Sequence, residues 1–103
     1  MKALKLEGRS SVLVEIPKAD IRDELKALQA IIGGYIETVH IAADAVLLVD
    51  EDGYVKCLPP NPAATVFARQ MILGTALLCG LAVNADGEMY FSDCPERYYK
   101  ENA

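Results

Sequence analysis

The residues able to do chemistry are few in this sequence and are spread along its length. His40 is the only histidine, and Cys57, Cys79 and Cys94 lack the close pairs typical of zinc ligands. A nucleophilic site needs a cysteine or serine beside a histidine base and an orienting acid. Glu37 and His40 are an odd number of residues apart in a predicted strand, so their side chains should point to opposite sheet faces. The sequence therefore predicts no catalytic residue, metal or cofactor, and it predicts reduced, structural cysteines.

Five polar or aromatic residues favour ligand binding over catalysis. Tyrosine can stack on a base, glutamate can bind ribose hydroxyls and arginine can bind phosphate, which suits a nucleotide-sized pocket. Polar groups near turns usually serve the backbone, so the alternative is structural: Asn61 caps a helix, Thr75 is a strand residue and Tyr35 is an anchor. Both interpretations stay open for each residue. The predicted ligand-binding residues are Tyr35, Glu37, Asn61, Arg69 and Thr75.

One amphipathic helix should position these residues against a sheet. Ile21, Leu25, Leu28 and Ile32 recur at helical spacing and form a single apolar stripe. Asp20 is suited to the N-cap because its carboxylate can accept hydrogen bonds from the first free backbone amides. The pattern predicts a helix that ends at residue 32 and packs on one face of the sheet.

A double glycine follows this helix. Gly33 and Gly34 can adopt positive φ without a Cβ clash, which predicts a tight corner from the helix into a strand at residues 35–41. The pair ends a helix and precedes neither a helix nor a lysine, so it is not a phosphate-binding loop.

Apolar runs bounded by turn residues predict a sheet of about five strands. The run 45–49 is apolar throughout, which predicts a central strand covered on both faces. A turn at 50–53, with Gly53 at positive φ, should lead into a second hairpin strand. The predicted strands cover residues 2–7, 11–16, 35–41, 45–49, 54–58 and 71–80.

Two short helices complete the prediction. Asn61 precedes Pro62, which suits the first helical position, and predicts a helix over 63–70. Ser92 or Asp93 would cap a C-terminal helix over 95–100. Together these elements predict a single α+β domain over residues 1–103, with a mixed or antiparallel sheet and one main helix on a face.

The composition excludes several classes of protein. The 103 residues carry a net charge of −5, which disfavours direct DNA binding. The longest apolar run, 76–83, is far shorter than the roughly 18 residues of a membrane span. No signal-peptide pattern opens the sequence, so a cytoplasmic location is expected.

The apolar strands also predict self-association. The runs 45–49 and 76–83 exceed what one helix can cover. Aromatic area near the C-terminus is added by Tyr90, Phe91, Tyr98 and Tyr99. A homo-oligomer is therefore expected.

Four blocks of the sequence, 28–37, 46–53, 58–64 and 72–80, occur in a distinctive order and spacing. Together they resemble the DUF3846 family, whose members are small proteins of uncharacterised function from bacteria, phages and other mobile elements. The resemblance covers roughly residues 24–80, and the chain departs from the family in a shorter, alanine-rich segment after Asn61 and in its own C-terminal tail. It implies a fold and a mobile-element setting, and it implies no reaction.

Three functional hypotheses follow. The first is a non-enzymatic small-ligand binder of a phage or mobile element that sequesters a host immune nucleotide, of cyclic or ADP-ribose type, at a subunit interface. The second is a protein–protein inhibitor of a host defence enzyme, whose acidic surface engages a basic site. The third is a small hydrolase that depends on His40.

Overall fold

The computed structural model describes residues 1–17 and 20–100, which form an α+β domain as predicted. Helix α1 ends at the double glycine, and β4 is buried along its whole length. Within the described ranges, no helix has both the length and the apolar character needed to cross a bilayer. The elements are β1 (Lys2–Glu7), β2 (Ser10–Glu15), α1 (Ile21–Ile32), β3 (Ile36–Ala42), β4 (Ala45–Asp50), α2 (Pro62–Ala68), β5 (Ala76–Val83), β6 (Met89–Ser92) and a 3₁₀ turn (Glu96–Tyr98).

The sheet is antiparallel throughout, in the order β2-β1-β5-β4-β3. Strand β5 is central because both of its edges are paired. One edge pairs with β4, and the other pairs with β1 along its first half and with β6 along its second half. Gly80 pairs with Ala45 of β4 and with Ser92 of β6, so β6 lies on the same side of β5 as β1.

The core has two layers, one on each face of the sheet. Alternation along β4 sends Val46 and Leu48 towards α1, where they pack with Leu28 and Ile32. Its other residues pack towards α2 and the segment after β6. Apart from Asp50, which is paired with Lys56, β4 is apolar because both of its faces are buried, and this is why the run 45–49 indicated a central strand.

The two glycines after α1 are required for different structural reasons. Gly33 takes the left-handed conformation, φ 92°, and its N–H closes the helix onto Gln29 O at 2.8 Å. Gly34 is needed for space, because a Cβ there would lie 2.6 Å from Lys56 Nζ and 2.8 Å from Asp50 Oδ2. The predicted corner is confirmed, and it also makes room for an ion pair.

The predicted strand 54–58 is wrong. Residues 51–57 form successive turns, and Lys56 reaches back to bind Asp50 at 2.7 Å. Cys57 adopts the left-handed conformation, φ 54°, in this segment, and Gly53 does not. Because the chain turns back to bring Lys56 to Asp50, residues 54–58 cannot pair with β4 as an extended strand.

The predictions for the last third of the chain also need correction. Strand β5 begins at Ala76 and not at residue 71, because the residues before it run beside 59–61 and accept a hydrogen bond from Asn61 N at Ile72 O, 2.8 Å. Strand β6 was not predicted. Asp93 caps no helix: its Oδ1 accepts from Lys2 N at 2.8 Å, and only a single 3₁₀ turn follows.

Candidate functional site

The apolar stripe of α1 is covered along only half of its length. Leu28 and Ile32 are buried, whereas Ile21 is 86% exposed and Leu25 is 45% exposed. Asp20 caps this end of the helix, accepting hydrogen bonds from Arg22 N and Asp23 N. The first turns of α1 are therefore well formed but leave apolar side chains open to solvent.

An apolar cleft of about 650 Å³ lies between this half of α1 and the β5–β6 hairpin, and it is called the α1–β6 cleft below. Leu28 and Val46 belong to the buried core beneath it. Met89 and Tyr90, on the hairpin side, are 60% and 51% exposed. The lining residues are Ile21, Glu24, Leu25, Leu28, Thr38, His40, Val46, Leu81, Met89, Tyr90 and Phe91.

Few polar groups line the α1–β6 cleft. Glu24 of α1 is the one carboxylate of its lining, and Thr38 and His40 enter from β3. Among the described residues, no lysine or arginine lines the cleft, and the His40 side chain makes no hydrogen bond. The cleft therefore combines a large apolar area with a small number of free hydrogen-bonding groups, which is the usual make-up of a small-molecule site.

Glu37 lies on the opposite face of β3 from His40, as the odd spacing predicts. It lines a smaller cleft of about 210 Å³ with Asp50, Glu51 and Tyr54 among its neighbours, and this is called the acidic cleft below. Tyr35 precedes β3 and is 69% exposed. Its carbonyl accepts from Glu51 N at 3.0 Å, which continues the β3–β4 pairing past the end of the strand.

Asn61 serves the backbone with every polar group of its side chain. Only 1% of the residue is exposed. Its Nδ2 donates to Leu6 O at 2.9 Å and to Gly74 O at 2.8 Å, and its Oδ1 accepts from Ala64 N at 3.0 Å. The side chain thus caps α2 and ties β1 to the segment before β5.

Arg69 and Thr75 lie apart from the other predicted ligand-binding residues. Arg69 is exposed at the C-cap of α2, in the left-handed conformation with φ 57°. Thr75 Oγ1 donates to Glu7 Oε2 at 2.9 Å beside the end of β1. Of the five predicted residues, Glu37 alone lines any of the clefts described here, so the structure does not bring the five together.

The ion pair at the acidic cleft is the most buried charge contact of the described chain. Burial acts to raise the pKa of Asp50, but hydrogen bonds from Lys56 Nζ and Asp52 N outweigh it, so the pKa lies below its usual value. The hydrogen bond to Asp50 raises the pKa of Lys56. Lys56 Nζ also donates to Gly33 O at 3.3 Å, which fixes the corner after α1 to the turns that follow β4.

Comparison with protein families gives one match. The model for a domain of unknown function, DUF3846, matches residues 1–102. The chain belongs to the DUF3846 family. The match extends the resemblance from the four blocks at 24–80 to β1, β2 and β6, so the whole described fold lies within the family domain. Searches of curated proteins and of solved structures returned no match.

The cysteines of this DUF3846 domain are poor nucleophiles where they are buried. Burial raises the pKa of the Cys79 thiol to about 12 and that of the Cys94 thiol to about 11. Both thiols therefore stay protonated at neutral pH, and a thiolate is the form that attacks substrates or binds metals. Cys57 is exposed in the turns after β4.

Sequence reasoning missed the cleft because it missed β6. The stripe of α1 predicts a helix packed on one sheet face, and no strand is predicted at residues 89–92, which form the opposite wall of the cleft. A signal was present: the apolar residues 81–83 and 89–91 flank the turn 84–87, which is a hairpin pattern. A four-residue strand carries too short an alternation to stand out by itself.

Proposed function

We propose that the protein is a non-catalytic binding protein that holds a small ligand with a planar apolar part in the α1–β6 cleft. The observation that supports this most is the open half of the α1 stripe, since Ile21 and Leu25 face a cleft instead of a core. A volume of about 650 Å³ lies within the range of small-molecule sites, roughly 300–1,000 Å³.

The side chains that line the α1–β6 cleft indicate which chemical class of ligand it could bind. Phe91 and His40 offer flat surfaces and ring edges to a planar group, and Thr38 adds a hydroxyl. Glu24 disfavours a phosphate inside the cleft, and the described part of the chain supplies no lysine or arginine to its lining. A nucleotide messenger, the ligand predicted from the mobile-element setting, would place its base in the cleft and its phosphates in solvent. Sequestration of such a messenger in the host cytoplasm is the role that we propose.

Binding of matched nucleosides and nucleotides tests this proposal. Calorimetry and thermal shift with adenosine, guanosine, their monophosphates, cyclic AMP and ADP-ribose should reveal micromolar or tighter binding. The nucleoside should bind at least as tightly as its nucleotide, because Glu24 is the charged group that the described residues place in the cleft lining. Leu25→Glu should weaken binding by about tenfold or more, since it places a charge on the apolar wall.

Val66→Glu is the matched control, because Val66 is an exposed helical residue, 76% accessible, outside the cleft. It should bind the ligand like the wild type. Absence of micromolar binding across the panel, or equal binding by Leu25→Glu and wild type, would contradict the proposal.

The exposed rim of the same cleft favours the second hypothesis, inhibition of a host enzyme by protein–protein contact. Ile21, Met89 and Tyr90 together offer an apolar surface of the kind that protein partners bury. A single stoichiometric partner recovered from host lysate by wild type and Val66→Glu, but not by Leu25→Glu, would favour this function. Turnover of a nucleotide that is abolished by His40→Ala would instead favour the hydrolase.

We also propose that the protein self-associates. Apolar side chains remain exposed on β2, on α1 and on the β5–β6 hairpin, including Val12, Ile21 and Val83. A mass above that of the 11.2 kDa chain in light scattering at micromolar concentration is the expected result.

A further inference from the structure

Strand β2 is the outermost strand of the sheet and has an unguarded edge. Its ladder with β1 is regular over all six residues, without a bulge. The strand contains two serines, two valines, a leucine and a glutamate, and no proline, lysine or arginine. In natural proteins a bulge, a proline or a basic residue on an edge strand usually prevents pairing with the edge of another sheet.

The other outer strands are better guarded. Strand β3 changes register between His40 and Ala42, which interrupts its edge. Strand β6 has only four residues. On β2, by contrast, Val12 is 56% exposed and Leu13 is 40% exposed. An open edge flanked by exposed apolar side chains is therefore specific to β2 among these three.

The backbone groups that face outwards can be assigned from the end of the hairpin. Met1 and Ile16 exchange two hydrogen bonds, Ile16 N to Met1 O at 2.7 Å and Met1 N to Ile16 O at 2.8 Å. In an antiparallel pair such bonds alternate, so Val14 and Val12 also bond inwards to β1. The N–H and C=O groups of Ser11, Leu13 and Glu15 therefore point to the free edge.

We infer that this edge pairs with β2 of a second copy of the chain, which joins two six-stranded sheets into one. The inference rests on the self-association proposed above and assigns its surface. A two-fold axis beside Val12 pairs Leu13 with the partner's Ser11 and brings Val12 against the partner's Val12.

The charges of Arg9 and Glu15 favour this register over one in which the two-fold axis is shifted along the strand. Arg9 lies in the hairpin turn one residue before β2, and Glu15 is the last residue of the strand. In the proposed register Arg9 lies next to the partner's Glu15, and the contact occurs twice by symmetry. Moving the axis to Leu13 would instead place Arg9 opposite the partner's Pro17, which has no N–H to donate.

Light scattering after size exclusion tests the inference on the full chain. Wild type should have twice the 11.2 kDa chain mass. Leu13→Lys should be a monomer, because it would place two like charges close together where the two β2 edges pair. Arg9→Glu should raise the dimer dissociation constant about tenfold, because two attractive pairs become repulsive. Arg9→Glu combined with Glu15→Arg should restore the dimer.

Arg22→Glu is the matched control, an exposed arginine on α1 that should leave the dimer unchanged. Circular dichroism checks that each variant is folded, and the charge-swap pair keeps the test decisive if Leu13→Lys does not fold. A monomeric wild type would overturn both self-association and this edge. A dimer that persists in both Leu13→Lys and Arg9→Glu would overturn the edge alone.

Discussion

At the scale of single residues, Asn61 shows how one side chain can stabilise three parts of a fold. It bonds to β1, to the segment before β5 and to the first turn of α2. Asn61→Ala would leave these buried partners unsatisfied, and we expect it to cost about 3 kcal/mol of unfolding free energy. Chemical denaturation measures this cost.

Asp20→Ala is the matched control for Asn61, because Asp20 caps α1 at an exposed position and should cost about 1 kcal/mol. Equal costs for the two substitutions would contradict the structural role. Loss of ligand binding by Asn61→Ala at unchanged stability would instead support the predicted role of Asn61 in ligand binding.

Asp50 is the residue whose titration should affect stability. Its pKa in the folded chain lies below the usual value of 3.8, so the unfolded chain binds the proton more readily in acid. The stabilisation is fully present above pH 3.8 and is lost as the pH falls through the folded pKa. Asp50→Asn should therefore unfold with a weaker dependence on pH below about 4 than wild type.

Denaturant unfolding at a series of acidic pH values measures this difference. Asp86→Asn, in the exposed turn between β5 and β6, is the matched control and should follow the wild-type curve. The same acid dependence in Asp50→Asn and wild type would show that the ion pair with Lys56 adds no stability.

At the scale of elements, α1 is a helix with two different halves. Leu28→Ala should cost about 3 kcal/mol, because Leu28 is 1% exposed and its removal leaves a cavity. Leu25→Ala, one turn earlier on the same stripe, should cost less than about 1 kcal/mol in the free protein, since solvent already reaches that side chain. Equal costs in denaturation experiments would mean that the α1–β6 cleft is closed in solution.

The sequence predicted the elements whose signals are local. The stripe and cap of α1, the glycine corner and the apolar β4 each follow from residues within a single helix, turn or strand. The turns at 51–57 could not be predicted in this way, because the contact of Lys56 with Asp50 and the space left by Gly34 decide them. The same limit applies to the site, since the α1–β6 cleft joins residues from Ile21 to Phe91.

At the scale of the whole molecule, the two proposed interactions use different regions. The cleft lies between α1 and the β5–β6 hairpin, whereas β2 ends the opposite side of the strand order from β3. A dimer through β2 would thus leave both clefts open and present two ligand sites per assembly. Calorimetry on the wild-type dimer should accordingly give one ligand per chain.

The central place of β5 has a consequence for synthesis on the ribosome. The strands that flank it, β1 and β4, both precede it in the chain, and each needs β5 to complete its hydrogen bonding. Until residues 76–83 leave the exit tunnel, the β1–β2 and β3–β4 hairpins lack the strand that joins them, and their apolar edges stay exposed. Productive folding must therefore wait until β5 has emerged, and a nascent chain that stalls before that point is a natural substrate for chaperones.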